Sequence, residues 1–291
     1  MTIIRAETIL HSAHWDGDVP NIWSGKLTYP RCIHAEFMTH RVLSKNSASS
    51  RAIPAARMIQ DVRDHPFVPV KWGKNMPGMQ AQEYFGGDEK EELKIRWYQD
   101  CWDAMEKAKW YAERGVHKQI VNRILEPYAH ITVFVTGTKW SNFLALRDDA
   151  AAEPHTQLLA KEIRRELEKP PMQTLDAGQW HLPWVKPEDF DRFGLKPGQM
   201  HPDLLKLSIA RSAHTSYQTV DGREMTYELA VNLADRLLSS KPLHASPTEH
   251  QVKADRYWMT AANRGWEGDG LEGNLSPGWV QYRKTLANES L

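Results

Sequence analysis

From Asp88 to Arg114 the chain is charged, rich in helix formers, and places Ile95, Tyr98, Trp102 and Met105 at three- and four-residue steps. That spacing lines one face of a long amphipathic helix, and Gly115 directly after Arg114 stops it. A second helical piece, 117–125, ends ahead of Pro127, and Ile131–Thr136 follows as a strand. Helices are expected over 138–148 and 150–168, up to the Pro170-Pro171 break. Upstream, Leu27, Tyr29, Ile33 and Phe37 alternate with polar neighbours over 24–38, a strand signal. Downstream, 204–217 reads as a strand, Asp221-Gly222 as a turn and 226–239 as a helix. Between these parts, 170–203 holds six prolines and three glycines and reads as a long connection. The expectation is an α+β fold, a mixed sheet flanked by helices. A single domain, 1–291, is expected, built jointly from 1–170 and 204–291 with 171–203 as the link.

Charge narrows the partners. Lysine plus arginine equals aspartate plus glutamate, 37 each, so no global field draws the chain to nucleic acid or an anionic membrane. An anion site has to be local. No stretch reads as a leader or a membrane span, and a soluble, cytoplasmic protein is expected. Cys32 and Cys101 are too few for a disulfide framework and lack Cys-x-x-Cys spacing, so reduced thiols and no metal are expected.

Two places offer local charge. Residues 40–51, His-Arg-Val-Leu-Ser-Lys-Asn-Ser-Ala-Ser-Ser-Arg, collect Arg41, Ser44, Asn46, Ser49 and Arg51 in one probable loop. Cationic forks and short donors suit a phosphate, although a solvated basic turn is the commoner meaning of such a run. Farther on, Trp140, Phe143, Leu144 and Arg147 fall at i, i+3, i+4 and i+7, which puts Arg147 on an inward face. Its partner is either a ligand or a nearby carboxylate, Asp148, Asp149 or Glu153. Arg123 closes a helix, where a cation is favoured by the dipole alone.

Taken together, these residues carry a resemblance. The order His40-Arg41, Ser44, Asn46, Ser49, Arg51, then Arg123-Ile124-Leu125 with Pro127, then Asn142-Phe143-Leu144-x-Leu146-Arg147 with Glu153 and Gln157, resembles the flavin-dependent thymidylate synthases. The family pattern Arg-His-Arg, seven residues, Ser is met as Thr39-His40-Arg41 through Ser49. Ala210-Arg211 to Tyr217 and Ser246-Pro247-Thr248-Glu249-His250 resemble a segment that precedes the cationic pattern in most members. Here it follows, which implies a circularly permuted order.

The resemblance implies C5 methylation of deoxyuridine monophosphate, with methylenetetrahydrofolate as carbon donor, FAD as cofactor, NADPH as reductant and a homotetramer as the assembly. By the same resemblance Arg51 and Arg123 hold the nucleotide phosphate with Ser49 and Ser50, and Arg147 contacts the pyrimidine, so Arg147 and Ser49 are the catalytic candidates. Glu36 and Ser47 fall at nucleotide-contacting positions, and Thr39, His40, Arg41, Asn46, Asn142, Ser216 and His250 at flavin positions. The departures are specific. Thr39 stands in place of an Arg, Glu36 in place of a Gln, Ser47 in place of a Glu and Ala151 in place of a His. They leave a cytosine nucleotide or a hydroxymethyl product open, as well as a nucleotide-binding protein without catalysis.

Overall fold

The computed structural model describes residues 2–215, 219, 222–260 and 263–289. Ten strands are named in chain order: β1 Arg5–His14, β2 Ile22–Pro30, β3 Ser44–Ser47, β4 His130–Gly137, β5 Gln173–Leu175, β6 Trp180–His181, β7 Val252–Ala254, β8 Tyr257–Met259, β9 Arg264–Trp266 and β10 Trp279–Gln281. The helices are α1 His34–Met38, α2 Ala55–Asp64, α3 Gly87–Glu113, α4 Lys118–Val121, α5 Ser141–Arg147, α6 Pro154–Leu167, α7 Pro187–Asp191, α8 Pro202–His214 and α9 Tyr227–Ser239. The main sheet runs β3-β4-β2-β1-β5. Its pairs are antiparallel except β1 with β5, so the sheet is mixed.

Strand β2 is central and shows how the sheet divides the molecule. Trp23, Leu27 and Tyr29 point to one face, where they pack with Val133, Val135, Phe143, Leu159 and Ile163 under α5 and α6. Gly25 is required on that face. The Trp23 indole lies across it, and an added Cβ would sit 1.9 Å from the ring. The opposite face is polar. Ser24 Oγ meets Thr136 Oγ1 at 2.6 Å and His181 Nε2 at 2.8 Å, while His181 Nδ1 meets Ser12 Oγ at 2.8 Å. Beside them His250 Nδ1 meets Thr136 Oγ1 at 2.8 Å, and its ring lies 4.4 Å from Phe134. The C-terminal portion covers this face, and Asn46 Nδ2 ties β3 to it by donating to the Ser212 carbonyl at 3.1 Å.

Several expectations change. The segment expected as a strand from 204 is helix α8. Leu205, Leu207 and Ile209 alternate with polar residues, yet Leu204, Ser208 and Arg211 are buried too, because the helix is enclosed on most sides. Ser208 Oγ donates to the Pro183 carbonyl at 2.7 Å, and Arg211 pairs with Asp189. The helix signals were Pro202 at its first turn and the His201 side chain, which accepts from Asp203 N–H. Tyr217 and Asp221, in the expected strand end and turn, lie outside the described residues. The connection over 170–203 contains β5, β6 and α7, each short because prolines interrupt it. The strand expected over 24–38 ends at Pro30 and turns helical, and part of the expected loop 40–51 is β3, paired with β4 from Ser44↔Thr136 to Ser47↔Val133. Strand β1 and helix α2 were not anticipated. Among the described residues no helix is long and apolar enough to cross a membrane.

The buried histidines make stability pH-dependent. Burial holds His250 near 3, and burial with the neighbouring His11 and His250 holds His181 near 3, against an ordinary 6.5. Folded rings stay neutral down to about pH 3 while unfolded rings take a proton near 6.5. Stability is therefore full above pH 6.5 and is lost as pH falls toward 3, by about 2 kcal/mol per histidine at about pH 5. Urea titrations at pH 7.5 and 5.0 should show a lower midpoint in acid, and equal midpoints would refute this reading of the rings.

Candidate active site

The cationic stretch begins where α1 ends. Thr39 Oγ1 donates to the Glu36 carbonyl at 2.7 Å, closing the helix, and the chain turns inward at His40. The His40 ring packs edge-on against Phe143 with 4.9 Å between centroids, and its Nε2 accepts from Arg147 Nε at 3.1 Å. Its carbonyl accepts from Lys45 Nζ. Burial, and then the Arg147 and Lys45 cations, hold the His40 imidazole below its ordinary value. A neutral ring can accept from a guanidinium, so these shifts and the hydrogen bond agree. Lys45 is itself lowered to about 8 by burial, against the pull of Glu249.

Arg147 closes α5. Trp140 and Phe143 on the same stripe are buried, as the spacing predicted. None of the three carboxylates considered for it is its partner. Asp148 pairs with Arg164 at 2.5 Å, Asp149 accepts from Ala151 N–H at 2.7 Å, and Glu153 caps α6 by accepting from Thr156 N–H at 2.8 Å and meets His155 Nδ1. Among the described residues Arg147 makes no ion pair, and its charge faces a cleft of about 550 Å³. Glu36, Thr39, Ala151 and Glu153 line that cleft with it. Glu36 Oε2 also lies 3.5 Å from Thr156 Oγ1.

The outer wall comes from a segment without a signal in the sequence. Residues 72–85 fold back on themselves through Lys74 N–H to Glu83 O at 2.9 Å and Phe85 N–H to Trp72 O at 2.8 Å. Gln80 Nε2 fastens this hairpin across the cleft, donating to the Ala150 and Ala152 carbonyls at 2.9 and 3.0 Å. Lys71, Gln80 and Tyr84 face the space that Arg147 faces.

The expected phosphate residues form a second group. Ser50 Oγ donates to Glu126 Oε1 at 2.7 Å, and Arg123 Nη1 and Arg31 Nε each reach that oxygen at 3.2 Å. Asn122 Nδ2 holds the turn by donating to the Ser50 carbonyl at 2.7 Å and the Ile53 carbonyl at 2.9 Å. Ser49, Arg51 and Arg123 are exposed here. None of the four lines the Arg147 cleft. Of the expected flavin residues, Arg41 is exposed on a third, smaller cleft, Asn142 is exposed on α5, and Asn46 and His250 are buried in the contact with the C-terminal portion. Ser47 is half-buried in β3. Ser216 lies outside the described residues.

Comparison with known proteins places the N-terminal half in a family. The family model described as Thymidylate synthase complementing protein matches residues 25–170, which include Glu36, the 39–51 stretch, Arg123 and Arg147. The chain belongs to this family. It is thus a thymidylate synthase-like methyltransferase of a flavin-dependent family. Solved structures similar to it include a UMP/dUMP methylase PolB from Streptomyces cacaoi bound with 5-Br UMP, at 17% identity and a TM-score of 0.44, covering 57% of this chain and 89% of that one. The same methylase bound with 5-Br dUMP gives 17%, 0.45, 57% and 90%. No curated protein matches the chain.

Replacing Gln80 with Ala removes both hydrogen bonds between hairpin and cleft rim. Backbone amides over 72–85 should then exchange hydrogen about thirtyfold faster, consistent with roughly 1 kcal/mol for each of the two lost bonds, with global unfolding little changed. Unaltered exchange would show that the hairpin is held by other contacts.

Proposed function

We propose that this family member transfers a one-carbon unit to C5 of deoxyuridine monophosphate, using FAD, NADPH and methylenetetrahydrofolate. The observation that carries the reading is Arg147, a guanidinium with no ion pair among the described residues, whose Nε donates to the His40 ring and which lines a cleft of about 550 Å³. A positioned cation stabilises negative charge that develops on a bound pyrimidine as C5 becomes nucleophilic. His40 fixes the direction of that cation by accepting from Nε, which leaves the terminal guanidinium nitrogens for substrate.

The thiols support the same chemistry. Cys101 is buried, which pushes its thiol up to about 11, while Cys32 is an exposed residue whose thiol is raised by partial desolvation and by the Glu153 and Glu36 carboxylates. Neither supplies a thiolate near neutral pH, so attack on the pyrimidine by a cysteine is disfavoured. The flavin, when bound, supplies hydride. The donor set around Arg41 fits an anionic nucleotide cofactor: an exposed guanidinium faces the Asn274 and Gln281 amides across a cleft of about 320 Å³.

The separation of Ser49, Ser50, Arg51 and Arg123 from the Arg147 cleft favours a shared site. In the proposed homotetramer, the phosphate group of residues from one copy completes the cleft of another. The N-terminal and C-terminal portions would form one catalytic unit, in permuted order. A second reading rests on Glu36. Its carboxylate lines the Arg147 cleft, and an ionised carboxylate only accepts, which suits the 4-amino group of a cytosine nucleotide as well as the N3–H of uracil.

Mass spectrometry of the nucleotide product after incubation with FAD, NADPH, methylenetetrahydrofolate and either deoxyuridylate or deoxycytidylate tests both. Thymidylate is expected, a product only from deoxycytidylate would establish the second reading, and no product from either would refute transfer. Arg147→Ala should lower kcat/KM by about 10²- to 10³-fold while the protein stays folded. The Cys32→Ala, Cys101→Ala double variant should keep turning over, and its inactivity would restore a thiolate route.

A further inference from the structure

The outer walls of the two clefts are held in different ways. At the smaller cleft the C-terminal tail is committed to the rest of the protein. Leu275 and Trp279 are buried, the Asn274 and Gln281 amides donate to Ser44 Oγ at 3.1 and 3.2 Å, Arg283 pairs with Glu249, and Lys284 pairs with Glu289. At the Arg147 cleft the wall is the 72–85 hairpin, and among the described residues none of it belongs to a buried hydrophobic cluster. Met79 near its tip is fully exposed.

The hairpin is nevertheless a unit. Gly73 bridges to Tyr84 between the two backbone bonds that join its arms, and Tyr84 Oη donates to the Ala81 carbonyl at 2.8 Å. Its two ends differ. At the entering end, Val70 N–H donates to His155 Nε2 at 3.0 Å, and the Trp72 ring meets Trp97 edge-on with 5.9 Å between centroids. At the leaving end, Gly86 and Gly87 lead into α3 with Gly87 at φ +54°, and no heavy atom lies within 4 Å of an added Cβ on either. A glycine pair in open space can change direction without a steric cost.

Among the described residues, the hydrogen bonds from 73–85 to the rest of the protein are the two that Gln80 Nε2 donates to the Ala150 and Ala152 carbonyls. Both acceptors sit in the turn between Arg147 and Glu153. Two hydrogen bonds without buried apolar area make a closure that opens far more readily than the fold unfolds. While closed, the hairpin keeps water from the guanidinium and so strengthens its interaction with charge on a bound base.

We infer that Gln80 is a positioning residue and the hairpin a lid: the Gln80 latch holds 72–85 over a pyrimidine nucleotide bound at Arg147, and the latch releases before the nucleotide leaves. This rests on the nucleotide reading proposed above. Gln80 acts through the hairpin, not on the reacting atoms.

The test times the release of radiolabelled deoxyuridylate or deoxycytidylate, whichever binds, from the full-length protein into an excess of unlabelled nucleotide. Amide exchange over 72–85 is measured on the same complex. Gln80→Glu keeps the size of the side chain but turns only acceptor oxygens toward the two carbonyls, so it should open the latch as Gln80→Ala does. In both variants exchange and release should rise by the same factor, about thirtyfold, because both pass through the open hairpin. Faster exchange with unchanged release would overturn the lid and leave the hairpin a fixed wall. Exchange and release both unchanged in Gln80→Glu would overturn the latch. A wild-type protein that binds neither nucleotide would overturn the nucleotide reading, and the lid with it.

Discussion

The contact between Ser24, Thr136, His181 and His250 is the joint on which the rest of the molecule depends. It sits on the polar face of β2 and β4, where a half-open sheet would ordinarily meet water. Here side chains from the C-terminal portion replace that water, and each hydroxyl finds a ring nitrogen or another hydroxyl within 2.8 Å. Buried polar groups are costly when unpaired, so the network also enforces register: a one-residue slip of β4 would turn Thr136 away from both partners. With the face sealed in this way, α8 can be enclosed and β3 can be held at the sheet edge through Asn46.

Edge strand β3 in turn positions the turn that carries His40 toward Arg147. Its start at Ser44 fixes the turn from His40, and the turn fixes the ring that receives Arg147. Three causes converge on the neutral state of that ring: burial, the guanidinium and the Lys45 ammonium. A protonated His40 would repel both cations, so the arrangement of charge and the arrangement of hydrogen bonds depend on each other. The carboxylates that could have neutralised Arg147 are occupied in capping α6, in the turn before it and in the pair with Arg164.

How much of this could be read from residues alone follows from the range of each contact. Helices α3 and α9 were legible because their periodicity is local and one face stays wet. Helix α8 was not: enclosure on most sides erases the polar stripe that distinguishes a helix from a buried strand. Its start signals at His201 and Pro202 outweigh the alternation of Leu205, Leu207 and Ile209 only once the neighbouring α7 segment is known. At the site, Arg147's inward direction was legible from four spaced residues, and the stretch 39–51 brings Thr39 and His40 to Arg147 but not Ser49, Ser50 or Arg51. That Asp148 belongs to Arg164, that Gln80 bridges to the Ala150 and Ala152 carbonyls, and that Asn274 reaches Ser44 are tertiary facts, each joining segments that no local pattern relates.

The Ser44 contacts set an order of events during synthesis. Asn274 and Gln281 follow Ser44 by 230 and 237 residues. At roughly 5 to 20 residues per second, translation leaves the cationic stretch for roughly 10 to 50 s before its partners exist. During that interval β3 can pair with nothing beyond β4, which is itself made late. The amino-terminal portion therefore emerges with Ser44 lacking both amide partners, whereas the cleft that Arg147 faces is lined by residues between Glu36 and His155 and takes no wall from the tail.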